Sequence, residues 1–128
     1  MRKILLVVAV LTFSLSNAQE IKRDNTVTIW KNLSMEVKEN EGEYFFFWRD
    51  ARFEYINKFK TIAFSNKEEF VLFLTQCQKL IDSKDKKLYF EMNGVLASST
   101  GYEVRLSEGK SYCYFRKNYA NKILEALN

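Results

Sequence analysis

Between Ser65 and Ser83 the apolar residues recur at spacings of three and four, and on both sides of that stretch they alternate with a period of two. A chain that changes period in this way carries one amphipathic helix flanked by strands, and an α+β fold buries both kinds of face in one core. Ser65 and Glu68 stand at the capping-box spacing, in which each side chain satisfies an otherwise unpaired N–H of the first turn. Phe70, Phe73, Leu74, Cys77, Leu80 and Ile81 then form one face, so the spacing predicts a helix over about 66–83.

On the N-terminal side, Val27, Ile29, Leu33, Met35 and Val37 share one parity, which predicts either a half-buried strand or a hairpin turning near Lys31 and Asn32. Tyr44–Arg49 reads as the next strand. Phe53–Ile56 and Phe59–Phe64 read as a hairpin around Asn57-Lys58. After the helix, Asn93-Gly94 separates two strand-like runs and is the preferred type I′ pair, which sets Met92 opposite Val95 and Phe90 opposite Ala97, with Leu88 on the same face. Tyr102–Leu106 and Ser111–Arg116 form a further hairpin across "SEGK". If that loop holds four residues, Val104 opposes Cys113, Tyr102 opposes Phe115 and Arg105 meets Tyr112. A last helix over about 118–127 presents Tyr119, Ile123 and Leu127. The expected fold is an antiparallel sheet of about six to eight strands, arranged as hairpins and packed with two helices in a single domain. Both halves end in a strand followed by a helix, although their residues match only loosely.

The first eighteen residues form a secretory signal: Arg2 and Lys3, then an apolar run from Ile4 to Leu15, then small residues at Ser16 and Ala18. The run is shorter than the roughly twenty residues of a membrane span. Cleavage after Ala18 is expected, leaving 19–128 as one periplasmic or secreted domain of bacterial type with no span of its own. Cleavage also changes the charge. Removing two cations from a net +4 leaves +2, too small a surplus for a phosphate-binding face. No nucleic-acid partner is expected, and the basic cluster at Lys84–Lys87 reads as a solvated loop.

The chain has no histidine. Ser-His-Asp and Cys-His catalysis and His-ligated zinc are therefore excluded in their usual forms. No phosphate-cradling glycine loop or EF-hand pattern occurs, and neither a cofactor nor a metal site is expected. Paired carboxylates are the remaining catalytic option, with Glu43, Asp50, Glu54, Glu91 and Glu103 in or near strands. Cys77 on the helix and Cys113 on a late strand both face the core. They form a candidate disulfide, which export would permit, with two buried free thiols as the alternative.

One feature speaks about activity. "YFFFWRDARFEY", Tyr44 to Tyr55, packs seven rings into twelve residues. Its parity sends Phe45 and Phe47 one way and Tyr44, Phe46 and Trp48 the other, as in a central strand covered on both faces. Its end mixes rings with cations, the types enriched at interface hot spots. The candidate binding residues are Trp48, Arg49, Arg52, Phe53 and Tyr55, with Tyr89, Tyr112 and Tyr114 as a second stripe on the late strands. The expected function is non-catalytic: an exported protein-binding or envelope-assembly module, of inhibitor or immunity type among the concrete cases. A glycan or small-ligand binder using an aromatic sheet face is the alternative, and a histidine-free hydrolase the third.

Overall fold

The computed structural model describes residues 24–52 and 58–128. The expected signal peptide, and the Phe53–Ile56 arm of the expected hairpin, lie outside the described residues. The chain folds as β1 (Val27–Lys31), β2 (Met35–Asn40), β3 (Glu43–Arg49), β4 (Phe59–Phe64), α1 (Lys67–Ser83), β5 (Tyr89–Met92), β6 (Val95–Ser99), β7 (Val104–Glu108), β8 (Ser111–Phe115) and α2 (Lys117–Leu127). This is the expected α+β domain with two helices. The strands divide into two four-stranded antiparallel sheets, β1-β2-β3-β4 (sheet A) and β5-β6-β7-β8 (sheet B). Each half is thus a meander followed by a helix.

The first hairpin turns at Asn32–Ser34, where the Asn32 carboxamide accepts the Ser34 and Met35 N–H groups at 2.9 and 2.7 Å. The single parity read from Val27 to Val37 does not persist. A bulge between Thr28 and Trp30 sets Trp30 opposite Val37, so Ile29 and Trp30 both reach the core while Leu33, in the turn, is 98% exposed. An extra residue in one strand shifts side chains to the other face in this way. β4 pairs with β3, Phe46 opposite Ile62.

The N-cap of α1 is Asn66, one residue later than expected, and its carboxamide accepts the Glu69 N–H at 2.8 Å. Asparagine caps as well as serine, and Glu69 does not complete a box. Its carboxylate instead accepts Asn93 Nδ2 at 2.7 Å. α1 ends at Ser83 as predicted, with Lys84 in the left-handed region at φ 57°.

The Asn93-Gly94 hairpin forms as read, with Met92 opposite Val95 and Phe90 opposite Ala97, and both turn residues have positive φ. The β7–β8 loop differs. Glu108 opposes Ser111, so the loop holds two residues, and Val104 faces Phe115, Leu106 faces Cys113 and Arg105 faces Tyr114. Gly109, at φ 61°, supplies the first position of a tight turn that needs positive φ there. The register moves by two residues, an even shift, so the same side chains stay inside. Tyr102 falls outside β7 and is exposed, and so is Leu88, which precedes β5.

The core lies where α1 meets both sheets. Phe73 packs on Phe46 and Phe64 of sheet A (centroids 6.3 and 5.2 Å) and on Phe90 of sheet B (5.9 Å). Phe46 also meets Phe115 edge-on at 5.5 Å. α2 lies beside α1 and reaches β1 through Tyr119 and Trp30. Polar stitching adds to this core. Asn93 Nδ2 donates to Ala63 O at 2.7 Å as well as to Glu69, tying the β5–β6 turn to β4 and α1. Asn93→Ala should cost about 1–2 kcal/mol in urea unfolding, and Asn93→Asp, which keeps the turn preference but loses both donors and sets a second carboxylate against Glu69, should cost a similar amount.

Candidate functional site

β3 is central in sheet A, and among the described residues it is covered on one face only. Phe46 and Trp48 are fully buried on the inner face; Phe45 and Phe47 lie half-buried on the outer one, where Lys38 sits 5.6 Å from the Phe47 centroid. This differs from the expectation of cover on both faces, because among the described residues no helix or strand packs over Phe45 and Phe47. It also removes Trp48 from the candidate binding residues. Its indole is 0% exposed, and Nε1 has no acceptor among the described residues, a cost of about 1–3 kcal/mol that burial of the ring must outweigh. Phe53 and Tyr55 lie outside the described residues.

Arg52 belongs to a latch between the two sheets. Asp50, 1% exposed, accepts Arg52 Nη2 at 2.8 Å and Nε at 3.1 Å, and the backbone N–H of Arg52 at 3.1 Å. Arg52 Nη2 also donates to Ser111 Oγ at 3.2 Å. Main chain completes the joint: Ala51 N–H donates to Tyr112 O at 2.7 Å, and Tyr112 N–H to Asp50 Oδ1 at 3.4 Å. These bonds occupy the open edge of β8, which would otherwise present unpaired groups to other chains. The Arg52 guanidinium holds the Asp50 carboxyl well below the usual carboxylate range, against the opposing effect of burial. A hollow of about 290 Å³ opens beside the latch. Its cations are engaged: Arg52 by Asp50, Lys60 by Glu108 at 3.1 Å, and Lys58 by a further contact.

Tyr89, Tyr112 and Tyr114 do share a surface, the outer face of sheet B. The register aligns Tyr89, Ser98, Arg105 and Tyr114 in one row across the four strands, with Glu91, Leu96, Ser107 and Tyr112 in the next. At about 4.8 Å per strand, Tyr89 and Tyr114 stand roughly 14 Å apart. Tyr89 is 65% and Tyr114 43% exposed. Tyr112 meets Tyr114 edge-on at 5.8 Å, and the Arg105 guanidinium lies 4.5 Å over the Tyr112 ring, a cation–π contact that fixes both side chains.

Arg49 lies elsewhere, on the wall of a groove of about 340 Å³ between the two sheets and α2. Leu33 and Tyr114 form its rim, Met35, Cys113 and Tyr119 lie toward its base, and Arg116 faces it from the start of α2. Tyr114 thus belongs both to the sheet face and to the groove, which makes one continuous surface. Sequence reading missed Leu33, Arg105, Arg116 and Tyr119. An apolar residue inside the "KNLS" turn was the available signal for Leu33; the others needed the register and the helix position.

Cys77 and Cys113 are buried free thiols, so the candidate disulfide is not formed. Burial pushes both thiols well up, which makes them small apolar side chains rather than nucleophiles. Among the described residues no cluster of His, Cys, Asp or Glu could hold a metal ion, and no helix is long and apolar enough to cross a membrane. Comparison with protein-family models, curated proteins and solved structures finds no match to this chain.

Proposed function

We propose that this chain is an exported, non-catalytic binding module that engages a partner protein through the surface centred on Tyr114. One observation carries the reading: exposed rings at Tyr89 and Tyr114 share a sheet face with the Arg105–Tyr112 stack and run into the Arg49–Arg116 groove. Large amphipathic rings held in place by their neighbours lose little entropy on binding, and tyrosine and arginine are the types that dominate hot spots. Export follows from the signal pattern at the N-terminus. An inhibitor or a component of an envelope assembly fits these features.

The carboxylate reading finds less support. A general acid must be held above its ordinary range, whereas Asp50, the one carboxylate buried among the described residues, is held below it by Arg52. The glycan reading loses the Trp48 indole to the core and would rest on Tyr89 and Tyr114 instead. Affinity capture from the envelope fraction of the cell that makes the protein tests the proposal. A stoichiometric partner retained by wild type and lost in a Tyr89→Ala/Tyr114→Ala variant is expected. A partner held equally by both proteins, or none at all, overturns it.

A further inference from the structure

We infer that the protein pairs with a second copy of itself along the outer edge of β5, the two β5 strands running antiparallel about a two-fold axis at Phe90. Sheet B then continues into its counterpart as one larger sheet. β8 lies at the opposite edge of sheet B, so Tyr114 stays open in both copies and the pairing does not depend on the partner reading.

Three of the four edge strands carry a guard against further pairing. Ala51 and Asp50 bond to Tyr112 of β8. Asn93 Nδ2 takes Ala63 O of β4. β1 has the Thr28–Trp30 bulge, and α2 packs on its Trp30 through Tyr119. β5 has none of these among the described residues, and its register with β6 runs unbroken from Tyr89–Ser98 to Met92–Val95. Ser99 N–H donates to Leu88 O at 3.0 Å, and main-chain groups alternate between the two sides of a strand. The N–H and C=O of Phe90 and Met92 therefore face β6, while those of Tyr89 and Glu91 face outward. Among the described residues no main-chain partner takes them, and Tyr89 is 65% exposed. A row of this kind is a template for another strand.

The second copy is the occupant because β5 is complementary to itself. A two-fold axis at Phe90 sets Tyr89 opposite Glu91 of the other copy, and Glu91 opposite its Tyr89. Each such pair exchanges two main-chain bonds, and on the outer face a tyrosine hydroxyl stands beside a carboxylate. On the inner face Phe90 meets its own counterpart at the closer, non-hydrogen-bonded spacing, and exposed Leu88 meets half-buried Met92. The neighbouring registers fit worse. A shift one way opposes Glu91 to itself, and like charges directly opposite destabilise a pair. A shift the other way needs the Lys87 N–H, which Asp85 Oδ1 already accepts at 2.9 Å. Parallel pairing would bring the two basic Lys84–Lys87 loops together, whereas antiparallel pairing sends them to opposite ends. The contact is isologous and closes as a dimer. It is small, so the association is weak and depends on concentration.

Sedimentation velocity of the purified protein, run from micromolar to millimolar concentration, tests this. A monomer–dimer equilibrium is expected. Glu91→Pro should weaken it about tenfold or more, because proline removes an outward donor while the β5–β6 ladder keeps its bonds. Should that variant misfold, cysteine pairing supplies an independent arm. Tyr89→Cys mixed with Glu91→Cys should form an intermolecular disulfide under mild oxidant, since directly opposed Cα atoms about 5.5 Å apart lie within disulfide reach. Either variant alone should form far less, its like positions being about 7–8 Å apart on the diagonal. Cys77 and Cys113 are buried and stay out of the reaction. A monomer at every concentration, a dimer that folded Glu91→Pro leaves at full strength, or cross-linking as strong within one variant as in the mixture overturns the inference.

Discussion

Phe73→Ala is expected to destabilise the protein by about 3–5 kcal/mol, the range for removing a buried phenylalanine from a packed core. Phe73 is the ring on which α1 joins the two sheets, in contact with Phe46, Phe64 and Phe90. Its removal leaves a cavity bordered by three aromatic side chains that cannot easily collapse into it. A domain of this size has about 5–15 kcal/mol in hand, so a large part of the total is at stake. Urea unfolding followed by tryptophan fluorescence measures it. Phe47→Ala, on the outer face of the same sheet, should cost far less. Similar losses for the two would contradict the placement of the core between α1 and both sheets.

Asp50→Asn should carry the second-largest cost, about 2–3 kcal/mol, because charge-assisted bonds to Arg52 are lost and a buried site is left poorly paired. The pH dependence gives a signature that packing loss would not. The Asp50 carboxyl titrates below its unfolded value of roughly 3.9. Its contribution is therefore complete above about pH 5 and is lost as the pH falls below about 4 toward the folded value. Wild-type stability should decline over that window, and the variant should decline less steeply, so that the gap between them narrows on acidification. Equal acid slopes in both proteins would remove Asp50 from the latch.

The helices were readable because their faces repeat over about two to three turns, and Phe70 to Ile81 or Tyr119 to Leu127 point one way whatever they meet. The Asn93-Gly94 turn was readable because both residues tolerate positive φ. The Gly109-Lys110 loop was read two residues too long, both on the β7 side, since glycine at the first turn position competes with a four-residue loop of the same composition. That error preserved parity, so the inside of sheet B was right while Arg105 found Tyr114 as its partner instead of Tyr112. Parity alone misled at Leu33, where the bulge at Thr28–Trp30 and the Asn32 turn decide which side chain is buried. Trp48 shows the limit for the site. Local pattern assigned it to one face of β3, but whether that face met solvent depended on sheet B and α1, which are distant in sequence. The groove is assembled from the β1–β2 turn, the end of β3, the end of β8 and the start of α2, and no local spacing announces such a meeting.

Under the proposed function, partner contact is made at the Tyr114 surface. Placing a photo-reactive phenylalanine at position 114, and separately at position 85 in the exposed loop after α1, tests it most directly in the cell that makes the protein. A discrete cross-linked protein is expected from position 114 and none from position 85. Cross-linking at 85 but not at 114, or equal diffuse labelling at both, would contradict it.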